Sequence, residues 1–252
     1  MDPRQHRLPR HRPAPARRGG RRPLPARLST RTRSTPTRKQ IPMSSIAILG
    51  AGRVASALAT ALAAAGHSVI VGTRSPAVPD WLTGAITHAD LPEAAASADI
   101  VINATPGETS LELLSGLRSE LTGRILIDVS NAVERGRDGL PGTLTYPNSS
   151  LAEKLQEALP DTKVVKTLNT MLFTVMTAPQ ILSTPATAFV SGDDADAKAT
   201  TIGLLADLGW TADAVLDLGG IRTARGPEAM ILFVPDLLAA RGFAPFAITV
   251  AA

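Results

Sequence analysis

The chain has 252 residues, with 26 Lys and Arg, 22 Asp and Glu, four His and no Cys, and its formal net charge is +4. The absence of cysteine excludes disulfides, thiolate catalysis and thiolate metal sites. No apolar run approaches the 18 or more residues of a membrane helix, and the two histidines beyond residue 42 lack metal-ligand spacing, so we expect no membrane span and no metal site.

Residues 1–42 differ in composition from everything that follows. They hold twelve Arg, one Lys and eight Pro with a single acid, Asp2, and this predicts a disordered arm. Residues 43–252 carry 13 basic and 21 acidic side chains, so their net charge is about −8. We therefore expect that this part of the chain does not bind nucleic acid. For the arm three interpretations stay open: a start placed too early, with Met43 as the true first residue, which we favour; a targeting segment; and a nucleic-acid or membrane arm.

Strand-like and helical runs alternate from residue 43 onward. Strands are predicted at residues 46–49, 68–71, near 86, 100–104, 125–129, 164–168, 188–191, 214–216 and 246–250. Helices are predicted at residues 54–65, 91–98, 111–121, 151–158, 195–208 and 225–239. This alternation predicts an α/β fold of the Rossmann type, a doubly wound and mostly parallel sheet whose ligands lie at the carboxyl ends of the strands.

The first strand runs into a Gly-x-Gly-x-x-Ala motif at residues 50–55. Gly50 allows a tight turn, Gly52 lets the backbone approach a pyrophosphate, and Ala55 allows close packing of helix and strand. The helix that follows aims its unpaired amides and positive dipole end at phosphates. Gly66 is expected to end this helix. The motif in this context predicts dinucleotide binding.

The second strand ends in Thr73-Arg74-Ser75, with no carboxylate between Ser68 and Pro79. An NAD-preferring site would place Asp or Glu here for the ribose 2′-hydroxyl. A guanidinium flanked by hydroxyls suits a 2′-phosphate instead. The predicted cofactor is therefore NADP. We expect two parts of the chain beyond the arm: an NADP-binding Rossmann domain at residues 43–170, and a C-terminal α/β extension at residues 171–252 that helps to form the substrate pocket.

Polar residues also follow the later strands. Thr105 and Pro106 lie in a turn expected to run under the dinucleotide. Asn131 and Asn169 could each donate to and accept from a nicotinamide carboxamide or a ring ligand, or be satisfied loop residues. Lys166 is expected to be solvated at a strand edge, with binding of a substrate anion as the alternative.

The C-terminal extension carries further expectations. Asp193 and Asp194 are expected to cap the helix after them, and Gly209 to end it. Arg225 and Glu228 begin a segment that could close over the pocket, or they pair on the surface. We expect core or dimer contacts, in preference to cofactor contacts, from four apolar residues: Met230, Phe233, Val234 and Leu237.

Five motifs can be read together: Gly50–Ala55, Val71–Arg74, Asp128–Asn131, Val164–Thr170 and Gly192–Asp194. Their combination resembles the NADPH-dependent coenzyme F420 reductases, also called F420:NADP oxidoreductases, and the cytosolic domains of the STEAP metalloreductases are similar. The resemblance spans about residues 45–250. It implies a Rossmann domain with a short C-terminal lobe, a homodimer, and reversible hydride transfer between NADP(H) and a deazaflavin or flavin.

Carried over by residue, the resemblance assigns four places in the pocket. It puts the pyrophosphate on Ala51, Gly52, Arg53 and Val54, the 2′-phosphate on Thr73 and Arg74, the nicotinamide beside Thr105 and Pro106, and the second ring near Asn169, Thr170 and Met171. Two positions depart from the family pattern, because Arg53 stands where members often have Asn and Ala55 replaces a common Gly.

Hydride transfer between two bound coenzymes needs aligned rings and no side chain that protonates a carbonyl. The chain has no histidine after His88. The sequence therefore predicts a cytoplasmic NADP-dependent oxidoreductase without a catalytic side chain, whose second substrate is coenzyme F420 or a flavin. A non-catalytic NADP(H) sensor, and a carbonyl or imine reductase with Lys166 as the acid, remain alternatives.

Overall fold

The structure is a computed structural model that describes residues 43–75 and 77–250. The predictions made for residues 1–42 lie outside the described residues. The described residues form ten strands: β1 Ser45–Leu49, β2 Ser68–Thr73, β3 Ile86–Asp90, β4 Ile100–Asn103, β5 Ile125–Asp128, β6 Val133–Arg135, β7 Pro141–Leu144, β8 Lys163–Thr167, β9 Ala188–Gly192 and β10 Val215–Gly219.

Helices connect these strands. They are α1 Arg53–Ala64, α2 Leu91–Ala96, α3 Gly107–Ser115, α4 Arg118–Leu121, α5 Leu151–Ala158, α6 Phe173–Met176, α7 Ala195–Asp207, α8 Arg225–Ala229 and α9 Val234–Arg241, with 3-10 turns at Pro179–Ile181, Ala212–Ala214, Ile221–Ala224 and Met230–Phe233. Within the described residues, no helix combines the length and the apolar character that a membrane crossing requires.

Eight strands form one sheet in the order β10-β9-β8-β5-β4-β1-β2-β3. Neighbours run parallel except for β8 and β9, which pair antiparallel. The predicted doubly wound, mostly parallel sheet is therefore confirmed. The strand order reverses between β1 and β4, and the carboxyl ends of these strands open the crevice that such sheets use for ligands.

Both faces of the sheet are buried, because successive side chains of a strand point to opposite faces. From β1, Ile46 and Ile48 join a core with Leu58 and Leu62 of α1. The intervening Ala47 and Leu49 join a second core built with α2, α3 and α5. The strand predicted at residues 46–49 is thus buried on both faces of the sheet.

The signals at helix ends are mostly confirmed. Gly66 and Gly209 follow α1 and α7 with φ of 96° and 95°, a left-handed conformation that glycine adopts without a Cβ penalty. Asp194 caps α7 by accepting a 2.8 Å hydrogen bond from Ala197 N. Asp193 does not cap this helix, because it accepts instead from Ile221 N at 2.9 Å.

Three predicted elements were wrong in detail. The helix predicted at 111–121 begins earlier, at Gly107, and is broken at Gly116. The helix predicted at 225–239 is divided into α8, a 3-10 turn and α9, because Pro235 lacks the amide that a continuous helix needs and lies in the first turn of α9. The terminal strand predicted at 246–250 is reduced to a single bridge between Met171 and Ala247.

Candidate active site

The glycine turn after β1 depends on Gly50. Its φ is 124°, and a Cβ at this position would lie 2.6 Å from Ala104 O. The turn is held by hydrogen bonds from Gly50 N to Gly72 O at 2.9 Å and from Ala104 N to Leu49 O at 3.0 Å. No other residue fits at position 50 without displacing the end of β4.

The N-terminus of α1 is open to the cavity beside it. Gly52 is the N-cap residue, and the described residues supply no side-chain hydrogen bond to this helix end and no acid in its first turn. A Cβ on Gly52 would meet no atom within 4 Å, so packing does not require glycine here. An uncapped helix end with an open glycine has the unpaired amides and the dipole that favour an anion.

A cavity of about 790 Å³ extends from this turn toward the C-terminal lobe. All fourteen residues predicted to bind the cofactor or substrate line it: Gly50, Ala51, Gly52, Arg53, Val54, Thr73, Arg74, Ser75, Thr105, Pro106, Asn131, Asn169, Thr170 and Met171. The fold therefore brings them together, and the role of each in binding stays a prediction.

The loop after β2 presents an exposed Arg74 to the cavity. Thr73 is buried, and its hydroxyl donates to Ser75 O at 2.6 Å and lies 2.8 Å from Nε2 of His88. The hydroxyl proton of Thr73 is thus already donated within the loop. The side-chain donors that remain for an anion beside this loop are Arg74 and the Ser75 hydroxyl.

The ionisable side chains that line the cavity are all arginines within the described residues, namely Arg53, Arg74 and Arg135. Neither a carboxylate nor a histidine or lysine lies among the described lining residues. Arginine stays protonated throughout the physiological pH range. The cavity is consequently suited to anionic ligands, and its described lining offers no group that titrates near neutral pH.

Asn131 and Asn169 bind each other across the floor of the cavity. Asn131 Nδ2 donates to Asn169 O at 2.9 Å, and Asn169 Nδ2 donates to Asn131 Oδ1 at 2.9 Å. Each amide retains a second N–H for a ligand. Just before Asn169, Leu168 has a φ of 60°, a conformation that costs a non-glycine residue about 1 kcal/mol or more and turns the chain toward the cavity.

A buried ion network lies behind this floor and corrects the expectation for Lys166. Lys166 is 1% exposed and is neither solvated at an edge nor placed on the cavity. Its Nζ lies 2.8 Å from Asp128 Oδ2 and 3.0 Å from Glu228 Oε1, and it donates to Ser130 O. Burial acts to lower the pKa of Lys166, but the two carboxylates outweigh it, and the pKa is raised.

The same network reaches the cavity wall through Asn103. The Oδ1 atom of Asp128 accepts from Asn103 Nδ2 at 2.9 Å, and Oδ1 of Asn103 accepts from the Thr105 hydroxyl at 2.6 Å. Asp128 Oδ1 also accepts from the Ser130 hydroxyl at 2.7 Å. These hydrogen bonds hold the turns after β4 and β5 in place. They thereby fix the positions of Thr105 and Asn131.

Glu228 and Arg225 do not pair with each other, contrary to one of our two expectations. Glu228 is 5% exposed and accepts from Leu151 N at 2.7 Å and Ala152 N at 3.1 Å, at the N-terminus of α5. Arg225 makes a bidentate pair with Glu153, with both distances 2.7 Å. These contacts anchor α8, the start of the segment that covers the cavity.

The far end of the cavity is apolar. Residues of the C-terminal lobe line it, among them Met230, Val234, Leu237 and Phe246. Of the two kinds of contact expected from Met230, Phe233, Val234 and Leu237, core packing is wrong, since none is fully buried, and Met230, Val234 and Leu237 face the cavity. Dimer contacts by these residues stay a prediction. From α6, Phe173 adds an aromatic wall, with the Arg53 guanidinium 5.4 Å from its ring centroid.

Sequence reasoning missed two parts of this cavity. Gly107 begins α3, and a Cβ there would lie 2.2 Å from Asn131 O. The hairpin formed by β6 and β7 adds Arg135, Leu140 and Pro141 to the lining. The Gly139 turn was the available signal for the hairpin, but its strands are too short to show an alternating pattern.

Comparison with known proteins gives a consistent result. The family model described as NADP oxidoreductase coenzyme F420-dependent matches residues 45–132. A crystal structure from Arthrobacter sp. FB24, assigned provisionally as an F420-dependent NADP-reductase, is 40% identical and has a TM-score of 0.76, and the match covers 83% of this chain and 100% of that one.

Two curated relatives match over part of their length. Metalloreductase STEAP3 of Rattus norvegicus is 33% identical over 77% of this chain, and F420-dependent NADP reductase of Methanocaldococcus jannaschii is 29% identical over 55% of it. The matches span only 39% of STEAP3 and 61% of the archaeal enzyme. With the glycine turn and the cavity described above, these similarities show that the chain belongs to the F420-dependent NADP oxidoreductase family.

Proposed function

We propose that this protein transfers a hydride between NADP(H) and the ring of a deazaflavin, such as coenzyme F420, or of a flavin. The observation that carries the proposal is one continuous cavity with two chemically different ends. The end at the glycine turn presents helix amides and guanidinium groups, and the other presents apolar side chains.

The polar end suits NADP in its donors and in its shape. The α1 N-terminus and the open side of Gly52 would receive the pyrophosphate. Arg74, with the Ser75 hydroxyl, would receive the 2′-phosphate, since a guanidinium fork matches phosphate oxygens. Thr73 would support this loop through its bond to Ser75 O rather than donate to the ligand.

The middle of the cavity would hold the two reacting rings. Thr105 and Pro106 would pack beside the nicotinamide, and the second N–H of Asn131 could bind its carboxamide. Asn169, Thr170 and Met171 would face the ring of the second substrate. The Asn131–Asn169 pair links these two groups of residues directly, so it would set the distance between the rings.

When bound, the nicotinamide supplies or accepts the hydride, and the proton that accompanies reduction of the second ring comes from water. The protein then acts by positioning and by excluding solvent. This agrees with a described lining whose only ionisable groups are arginines. A carbonyl or imine reductase with Lys166 as its acid is disfavoured, because Lys166 is paired with two carboxylates away from the cavity.

Anaerobic mixing of the protein with NADPH and either a deazaflavin or a flavin tests the proposal. We expect the absorbance of the oxidised ring to disappear in step with NADPH consumption. A protein that binds NADPH but leaves both rings oxidised over hours would instead be the NADP(H) sensor that the sequence left as an alternative.

We also propose that two copies of the chain pair through the C-terminal lobe. Leu232, Phe233 and Phe243 are 38%, 57% and 68% exposed there, and exposed large apolar side chains favour association. Phe233→Glu is expected to give a monomer by size-exclusion chromatography with light scattering, whereas Val78→Glu, at another exposed apolar residue, is expected to leave a dimer. A monomeric wild-type protein would contradict this proposal.

A further inference from the structure

The three arginines of the cavity are unevenly distributed. Arg53 begins α1, directly after β1, and Arg74 follows β2. Arg135 ends β6, which follows β5. In the sheet, β5 and β2 are separated by β4 and β1, so the starts of these two loops lie roughly 14 Å apart at the usual strand spacing of about 4.8 Å. The loop that carries Arg135 therefore starts well away from the loop that carries Arg74, the arginine placed at the 2′-phosphate of NADP.

The hairpin that carries Arg135 forms a wall of the apolar end. Leu140 and Pro141 of the same hairpin also line the cavity, and β7 lies beside the Met230–Phe233 turn of the C-terminal lobe. A guanidinium in this wall is unusual among its apolar neighbours. It has no evident part in packing, because 52% of the Arg135 side chain is exposed.

The partners of Arg135 leave much of its guanidinium available. Nη1 donates to Gly139 O at 3.1 Å, which fixes the group against the hairpin turn. The nearest carboxylate contact is from Nε to Glu108 Oε1, at 3.8 Å, which is too long for a hydrogen bond. Guanidinium has five N–H donors, so a preoriented fork remains for an anion.

We propose that Arg135 binds an anionic group, a phosphate or a carboxylate, on the side chain of the second substrate. The apolar residues would receive the ring, and Arg135 would select rings that bear an anionic tail over the same ring without one. This inference rests on the proposed function, since it assigns a specificity residue to the second substrate of that reaction.

Two probes that differ by one phosphate test the proposal. They are 5-deaza-FMN and 5-deazariboflavin, which share a ring. Each is titrated by fluorescence into protein saturated with NADP+, so that binding is measured without turnover. We expect wild-type protein to bind 5-deaza-FMN roughly tenfold or more tightly than 5-deazariboflavin, as for a charge-assisted hydrogen bond, and we expect added salt to reduce this preference.

Arg135→Met is expected to abolish the preference while leaving the affinity for 5-deazariboflavin and for NADP+ unchanged. Arg137→Met is the matched control, because Arg137 lies in the same hairpin turn but does not line the cavity. It should retain the preference, and Arg135→Lys should retain part of it. Unchanged circular dichroism and NADP+ affinity establish that each variant is folded.

Equal affinity of the wild type for the two probes would overturn the role of Arg135, and so would a preference that survives in Arg135→Met or is lost equally in Arg137→Met. Reduction of both probes by NADPH at equal efficiency would leave the proposed function standing and remove only this inference. Failure of both probes to bind and to react, with NADP+ still bound, would overturn the proposed function and this inference together.

Discussion

The two ends of the cavity are built from different parts of the chain. The polar end is mostly backbone: a glycine turn, the amides of α1 and one loop after β2, within residues 50–75. The apolar end is made of side chains from α6, the β6–β7 hairpin and the C-terminal lobe. The first is a local structure formed by one short stretch of chain, whereas the second exists only after distant segments pack together.

The polar contacts around the helix N-termini show the same contrast. Away from the cavity, α5 and α7 are capped by Ser150 and Asp194. At the cavity, α1 and α3 have no side-chain cap from the described residues. The N-terminal amides of α1 and α3 are therefore open to a ligand, unlike those that Ser150 and Asp194 cap in α5 and α7.

The largest expected effect comes from the buried network that supports both ends. Lys166→Met leaves Asp128 and Glu228 without their cation and should lower the free energy of unfolding by about 3–5 kcal/mol. Urea denaturation measures this, with Lys154→Met as the control, since that lysine forms an exposed pair with Glu157 and should cost under about 0.5 kcal/mol. Equal stability of the two variants would refute the role assigned to the network.

The next effect is confined to the polar end. Arg74→Asp replaces the cation by a charge that repels the 2′-phosphate, so the Kd for NADPH should rise roughly 100-fold, or about 2.7 kcal/mol. The Kd for NADH should change less than about threefold. Titration of both nucleotides by fluorescence decides this, and equal losses for the two would remove the 2′-phosphate assignment.

A smaller effect is expected from Gly52→Ala. The new Cβ meets no protein atom within 4 Å, so stability should be unchanged, but it projects at the predicted pyrophosphate site and should weaken NADPH roughly tenfold. Gly226→Ala is the control, because its Cβ also meets nothing within 4 Å, its φ lies outside the left-handed region, and Gly226 does not line the cavity. Unchanged NADPH affinity in Gly52→Ala would place the pyrophosphate elsewhere.

The smallest effect concerns pH and the anchor of the C-terminal lobe. Hydrogen bonds from Arg225 lower the pKa of Glu153 below its ordinary 4.5, against the effect of burial. A depressed carboxyl pKa contributes stability above the unfolded value and loses it as pH falls through the folded value. Arg225→Met should therefore lower the thermal midpoint at pH 7 but not at pH 3. An equal difference at both pH values would contradict this account.

The extent to which each feature was predictable follows from the same contrast. The glycine turn, the helix after it and the cationic loop after β2 were predictable, because each depends on neighbouring residues within 46–75. Gly50 sets the turn, and Arg74 sets the charge of the loop. Lys166 was not, because its burial depends on Asp128, 38 residues earlier, and on Glu228, in another lobe. Arg135 was missed because a three-residue strand has no periodic pattern, and the C-terminal helix was overestimated because the interruption at Pro235 was not weighed.

The most direct test of the central claim follows the hydride itself. With NADPH deuterated at both C4 positions, ordinary water and 5-deazariboflavin as the acceptor, mass spectrometry of the reduced ring reports what was transferred. We predict one deuterium at C5 for each NADPH consumed, with a rate that hardly varies between about pH 6 and 8 because the described cavity lining has no titrating acid. Reduced product without deuterium, or no reduction at all by NADPH-loaded protein, would contradict direct hydride transfer in this cavity.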